Sequence, residues 1–151
     1  PIPARDLGPE KVRFFYYTNM LTLMYDNLGA CVFGVVARGI LHLDKFISLV
    51  RNVTGWNTNL WELLKTGERA ANLMRLFNLR EGFGKEDDRI PEIFYEDFSD
   101  GPMEGDKALD REDFENAIEK YYQMAGWDDM GCPLEGKLDE LGIPEELRQT
   151  S

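Results

Sequence analysis

The sequence predicts an all-α fold, a multihelical bundle interrupted by one long irregular loop. Three observations predict it. Apolar residues recur at three- and four-residue spacings in successive stretches, as in helices that bury one face. No convincing run of alternating apolar and polar residues appears, so no strand is expected. Glycines, prolines and short polar residues fall between the periodic stretches, where caps and turns belong.

The elements follow in order. Residues 1–9 hold three prolines and a glycine, and read as a linker or lead-in segment ahead of a single helical domain over 10–151. From Glu10, "EKVRFFYYTNMLTLMYDNLG" places Val12, Phe15, Tyr16, Met20, Leu23, Met24 and Leu28 on one buried stripe. Gly29 stands where a left-handed helix cap belongs, and a second helix is expected to begin near Cys31. The apolar run 32–53, with Leu43, Phe46, Ile47 and Val50, reads as one helix kinked at Gly39 or as two short ones.

"TGWNTN" at 54–59 has turn and N-cap chemistry, and a long amphipathic helix follows it to Gly82. Leu60, Leu63, Leu64, Ala71, Leu73, Met74, Phe77 and Leu79 are its expected inner face. Gly67 lies inside that helix at a cost of about 1 kcal/mol relative to alanine, which implies a close neighbour there. Residues 83–109, rich in Gly, Pro and Asp, are the irregular loop. Asp110 then caps a helix ending at Gly126, with Phe114, Ala117, Ile118, Tyr121 and Met124 or Ala125 inward. A short helical piece at 138–141 precedes Gly142, Pro144 and a polar tail.

Composition excludes several functions. With 151 residues and 43% hydrophobic content, one domain can support its own core. The net charge of −11, from 28 acidic against 17 basic residues, argues against nucleic acid, whose phosphates require clustered Lys and Arg. The acidic stretches 86–100 and 110–120 read as solvated surface. No apolar tract is long enough to span a bilayer, since the longest, 30–43, is broken by Arg38, Gly39 and His42. The start, Pro1-Ile2-Pro3, lacks both a leader pattern and an initiating methionine, and reads as a processed product or a fragment of something longer. Cys31 and Cys132 form neither a CxxC pair nor the spacing of a secreted disulfide framework, so a reducing, cytoplasmic setting is expected.

Several motifs in fixed order then carry a resemblance. "TGERAANLMRLFNLREGFGKEDDRIPE" at 66–92, "DGPMEG" at 100–105 and "YYQMAGWDDMGCPLEGKLDELGI" at 121–143 resemble the C-terminal region of the tungsten-containing aldehyde ferredoxin oxidoreductases. The likeness runs from about residue 18 to residue 147. It implies the helical fold of that family's C-terminal domain, with Ile90-Pro91-Glu92 where the family more often has Leu-Pro-Glu before an arginine.

The resemblance also gives meaning to "YDNLGACVF" at 25–33. Asp26 to Cys31 is similar to the family's D-x-x-G-L-C element, with Ala30 in place of the usual leucine. The likeness implies that Asp26, Leu28, Gly29 and Ala30 contact a pterin of a tungsten (or molybdenum) bis-pterin cofactor. It makes Cys31 one of four ligands to a [4Fe-4S] cluster. A carboxylate in the last turn of a helix opposes the helix dipole by about 0.3–1 kcal/mol, so Asp26 needs a donor partner, which pterin ring nitrogens would supply. Cys31 falls near a helix N-terminus, where free amides favour the thiolate a cluster requires. Read without the resemblance, an Asp at a helix end is a cap or surface residue, and a lone Cys is a small buried hydrophobe.

The family's other three cluster cysteines come from an upstream C-x-x-C-x-x-x-C motif that this chain lacks, as it lacks the family's upstream metal-site Glu and His. The resemblance therefore implies a C-terminal domain of a larger enzyme that oxidises aldehydes to carboxylic acids and passes electrons to ferredoxin. No catalytic residue lies in this chain, and no cofactor is expected in it when isolated. Expected partners are the upstream domains and ferredoxin, with a homodimer of the parent as a further assembly. The alternative is a free-standing acidic helical module that binds a protein and performs no chemistry. His42, the single histidine, is expected at the core or its boundary, hydrogen-bonded, and Cys132 as structural or a surface thiol. Glu68 and Arg69 could each pair with other charges inside the bundle or form an exposed pair. Aromatics such as Tyr16, Tyr17, Trp56, Trp61, Tyr121, Tyr122 and Trp127 are expected to pack.

Overall fold

The structure, a computed structural model, describes residues 2–3, 5–35, 42–97, 99, 101 and 108–148. Among these residues there is no strand, and a single isolated bridge pairs Trp127 with Pro133. The all-α class follows from the helices themselves. α1 spans Pro9–Asn27, α2 Val32–Val35, α3 Leu43–Thr54, α4 Leu60–Arg80, α5 Arg111–Ala125 and α6 Glu135–Glu140. Short 3-10 turns at Lys85–Asp87, Glu92–Tyr95 and Glu145–Leu147 complete the described order.

Local chemistry sets the helix ends. Pro9 occupies the first turn of α1, where its missing N–H costs nothing. Asn59 caps α4 in a capping box, accepting from the Glu62 amide at 3.1 Å while Glu62 accepts from the Asn59 amide at 3.0 Å. Asp110 accepts from the Asp113 amide at 3.0 Å to start α5, and Gly126 ends it. The apolar run after Cys31 is two pieces, α2 and α3, and the expected break at Gly39 lies outside the described residues.

α1 and α4 form the central pair, and Gly67 brings them together. A Cβ at position 67 would collide with the Met20 carbonyl oxygen and lie 3.0 Å from the Met24 nitrogen. The contact line on α1 therefore runs along Val12, Tyr16, Met20 and Met24, a row of i, i+4 positions. Phe15, expected inside, is instead 57% exposed on the flank, where it leans on Tyr121 at 5.8 Å.

α4 departs further from expectation. Its buried residues are Leu63, Gly67, Glu68, Asn72, Arg75 and Leu76, whereas Met74 and Phe77 are more than half exposed. The buried face is polar because α1, α5 and the segment after Gly126 each bring a matching hydrogen-bonding group to it. Three small cores result. Met24, Tyr25, Phe46, Val50 and Leu63 join α1, α3 and α4. Tyr16, Met20 and Ala125 join α1 to α5. Leu76, Leu138, Leu141 and Ile143 seat α6 and the residues after it on α4.

Two further corrections concern side chains. His42 is exposed at the N-cap of α3, where only its backbone carbonyl is used, accepting from the Phe46 amide at 3.0 Å. α3 begins one residue later and turns its apolar face, Phe46 and Val50, inward without it. Tyr17, Trp56 and Trp61 are also exposed, whereas Tyr16 and Tyr122 are buried and Tyr121 and Trp127 half-buried, packed as expected.

Candidate functional site

The segment 25–31 is a helix end pinned from beneath. Leu28 is the last half-helical residue of α1, and Gly29 reverses the chain at φ +68°, the left-handed region that glycine tolerates best. The Gly29 amide donates to the Asp26 carbonyl at 3.0 Å, and the Ala30 amide donates to the Tyr25 carbonyl at 2.9 Å. This pair of bonds is the Schellman closure, which satisfies carbonyls that a helix end leaves open.

Packing holds the turn in place. Tyr25 is 3% exposed and meets Phe46 edge-on at 4.7 Å, and Leu28 and Ala30 lie half-buried against the same core. Asp26, Gly29 and Cys31 are exposed. The five predicted residues thus divide by role: Leu28 and Ala30 anchor by side chain, while Asp26 offers a carboxylate, Gly29 bare backbone and Cys31 a thiol. A Cβ at Gly29 would meet nothing within 4 Å, so the backbone is open to close approach by a flat ligand. Cys31 stands directly before α2, and its carbonyl accepts from the Gly34 amide at 3.0 Å.

The turn can supply one hydrogen-bond acceptor and one metal-binding sulfur. Among the described residues no group of three or more His, Cys, Asp or Glu side chains is placed to hold a metal ion. A cluster that needs four thiolates could take only one of them from Cys31. Cys132, the second free cysteine, is half-buried, and burial foremost, with Asp128 nearby, pushes its thiol above the ordinary range. Exposure separates the two. Cys31 is expected to react with a small alkylating reagent well before Cys132 in the folded chain, read by peptide mass mapping; equal rates would contradict the exposed turn.

α4 carries two buried polar centres, of which the first, Glu68 paired with charges inside the bundle, was one of the two readings the sequence allowed, and the second, Arg75, was missed. Glu68, 6% exposed, accepts from the Tyr16 hydroxyl at 2.8 Å, from Lys65 at 2.6 Å and from Lys137 at 2.8 Å. Both lysines also reach Glu140. Burial alone would raise the Glu68 carboxyl, but the hydrogen bonds from Lys137, Lys65 and Tyr16 outweigh it and hold the group below the ordinary range. Burial and the Glu68 charge together push the Tyr16 phenol far up.

Arg75 is the second centre. It donates to the Gly131 carbonyl at 2.7 Å, pairs with Asp88 through both terminal nitrogens, and lies 5.1 Å from the Trp127 ring. Tyr122 donates to Asp88 as well. Asn72, between the two centres, accepts from the Trp127 indole at 2.8 Å. The spacing of Glu68, Asn72 and Arg75, four then three residues, was the readable signal: three polar residues on one helical face.

Comparison with known proteins places this geometry in context. A family model described as "Aldehyde ferredoxin oxidoreductase, domains 2 & 3" matches residues 2–143. The tungsten-containing aldehyde ferredoxin oxidoreductase of Pyrococcus furiosus is 32% identical over 142 residues, covering 93% of this chain and 22% of that protein. The protein of the same name from Thermococcus kodakarensis is 31% identical over 144 residues, covering 94% of this chain and 23% of that protein. The "Aliphatic sulfonate oxidoreductase, WOR-like subunit" of Pyrococcus furiosus is 33% identical over 140 residues, covering 89% of this chain and 22% of that protein. The chain spans about a fifth of the length of these relatives.

Proposed function

The chain belongs to the aldehyde ferredoxin oxidoreductase family, and from that premise we propose that it is the C-terminal domain of a longer oxidoreductase. The parent oxidises an aldehyde to a carboxylic acid at a tungsten or molybdenum bis-pterin site and passes electrons through a [4Fe-4S] cluster to ferredoxin. When bound, the pterin-held metal would supply the two-electron oxidation and the cluster the one-electron relay.

The observation that carries this reading is the turn at 25–31. It presents Asp26, bare backbone at Gly29 and the Cys31 sulfur outward from a base that packing fixes. In this reading Asp26 accepts hydrogen bonds from pterin nitrogens. Leu28, Gly29 and Ala30 give the pterin a closely approachable backbone edge. Cys31 is one of four cluster ligands, and the other three come from upstream. No residue of this chain transfers a proton or an electron pair to substrate. The upstream domains are its permanent partners, ferredoxin its electron acceptor and a homodimer of the parent a further assembly, all in the cytoplasm. No helix among the described residues is long and apolar enough to cross a membrane.

The test begins with the reading frame upstream of Pro1. A C-x-x-C-x-x-x-C motif there supports the enzyme, and a start codon at the boundary with no such motif supports an interaction module. The 151-residue chain purified alone is expected to be colourless and inactive, and a visible absorption band stoichiometric with it would contradict the proposal. Because one relative is named for aliphatic sulfonates, the parent is assayed with an aldehyde and with an alkylsulfonate. Electron transfer from the aldehyde is the expected result.

A further inference from the structure

Asp26 and Cys31 are exposed, so the backbone beneath them sets where they stand. One carbonyl gathers that backbone. The Tyr25 carbonyl accepts from the Ala30 amide at 2.9 Å and from the Leu28 amide at 3.2 Å. Tyr25 immediately precedes Asp26, and Ala30 immediately precedes Cys31. The two residues joined by the shorter bond therefore each carry a predicted site residue on the next position, and the separation of carboxylate and thiol depends on where Tyr25 sits.

Tyr25 is in turn held by its ring. The ring meets that of Phe46 in α3 edge-on, with centroids 4.7 Å apart and planes at 77°, an arrangement that sets the electropositive edge of one ring against the electronegative face of the other. Both side chains are buried, and Leu28, Ala30, Leu43 and Ile47 pack on the same cluster. In a close-packed interior neither ring moves without the other. A thiolate delivered from a fixed turn binds iron without first having to be ordered, whereas a loosened turn must be ordered each time the bond re-forms.

We propose that Tyr25 and Phe46 are a positioning pair, whose ring contact fixes the spacing of Asp26 and Cys31 and through it how firmly Cys31 holds the cluster. The proposal rests on the reading of Cys31 as a cluster ligand, and adds to it a requirement on two buried side chains that supply no ligand themselves.

The test uses the full-length parent and measures release of cluster iron to a chelator, together with the low-temperature EPR spectrum of the reduced protein. Tyr25→Leu and Phe46→Leu, which each remove one ring, are expected to release iron about tenfold faster and to shift the g-values, as loss of a group that orients a metal ligand does. Tyr25→Phe keeps the ring and is expected to keep the rate and the spectrum of the unaltered parent. Leu76→Ala, which lowers stability from the separate core beneath α6, is expected to leave both unchanged as well. Should Phe46→Leu fail to fold, Phe46→Met, which removes the ring and refills its volume, serves in its place. Ring-deleted variants that match the unaltered parent would overturn the proposal, as would equal acceleration by Leu76→Ala or by Tyr25→Phe. Cys31→Ser, measured alongside, separates the two claims. Loss of its cluster together with unaltered ring-deleted variants overturns the pair alone, and a full cluster in Cys31→Ser overturns the ligand reading and the pair with it.

Discussion

Replacing Gly67 by alanine is expected to destabilise the chain by about 2 kcal/mol, although alanine is the better helix former. The reason lies in what the new methyl group would strike. It would press on the Met20 carbonyl oxygen and stand 3.0 Å and 3.1 Å from the Met24 nitrogen and Met20 carbonyl carbon. All three are backbone atoms of α1, and none can swing aside as a flexible side chain can. Overpacking of that kind costs up to about 3 kcal/mol, against which the helix preference of alanine returns about 1 kcal/mol. Because α1 must move bodily, contacts of Met20 and Met24 loosen together. Urea unfolding checks this through a lower midpoint at unchanged slope. An unchanged or higher midpoint would show that α1 and α4 do not meet so closely.

Removing the Glu68 carboxylate is expected to cost about 2–3 kcal/mol near neutral pH, as in Glu68→Leu. Lys65 and Lys137, with side chains only 23% and 18% exposed, would lose their shared central partner and retain Glu140. The buried Tyr16 hydroxyl would lose its acceptor as well. Loss of a buried pair can reach about 3–5 kcal/mol, and the surviving Glu140 contacts lower the figure here.

The same network gives a pH signature. The carboxyls of Glu68 and Glu140 are held below the ordinary value of 4.5: at Glu68 hydrogen bonds overcome burial, and at Glu140 the bonds from Lys137 and Lys65 dominate. A carboxyl depressed in the folded state gives stability that is fully present above that ordinary value and is lost as pH falls through the folded one. Lys65 and Lys137 are raised above 10.5, so their contribution is present throughout the neutral range and is lost only in strong alkali. Glu68→Leu is therefore expected to flatten the acid limb of the stability curve, measured as urea midpoint against pH. An acid limb as steep as that of the parent sequence would place the titrating groups elsewhere.

Much of the fold was legible because its punctuation is local. Asn59 and Asp110 act as caps through bonds to residues three positions on, and Gly29 and Gly126 end helices through the two residues around them. Gly67 was legible for the opposite reason. A glycine tolerated inside a long helix signals a neighbour, and α1 is that neighbour.

What was not legible depends on partners distant in sequence. Periodicity fixes the faces of α4 relative to each other but not which neighbour covers each face. Met74 and Phe77 were therefore assigned inward, while Glu68 and Arg75 take the covered positions. Their partners Tyr16, Lys137 and Gly131 lie 52, 69 and 56 residues away, beyond any local pattern. His42 was misplaced for a related reason: the residues beside it do not say which way the N-cap of α3 faces, and the side chain is exposed there.

The candidate site shows the same division. The glycine turn after α1 could be read from residues alone, and the structure has the expected positive φ at Gly29. The roles of Asp26 and Cys31 came from the resemblance, because an exposed carboxylate and an exposed thiol carry no local sign of what they bind.

The most direct measurement is iron and acid-labile sulfide content, with the low-temperature EPR spectrum of the reduced protein, in the full-length parent carrying Cys31→Ser, with Cys132→Ser as its control. If Cys31 completes the cluster, Cys31→Ser loses the [4Fe-4S] signal and most of the iron while Cys132→Ser retains both. A full cluster signal with unchanged iron in Cys31→Ser would contradict the assignment of the turn at 25–31.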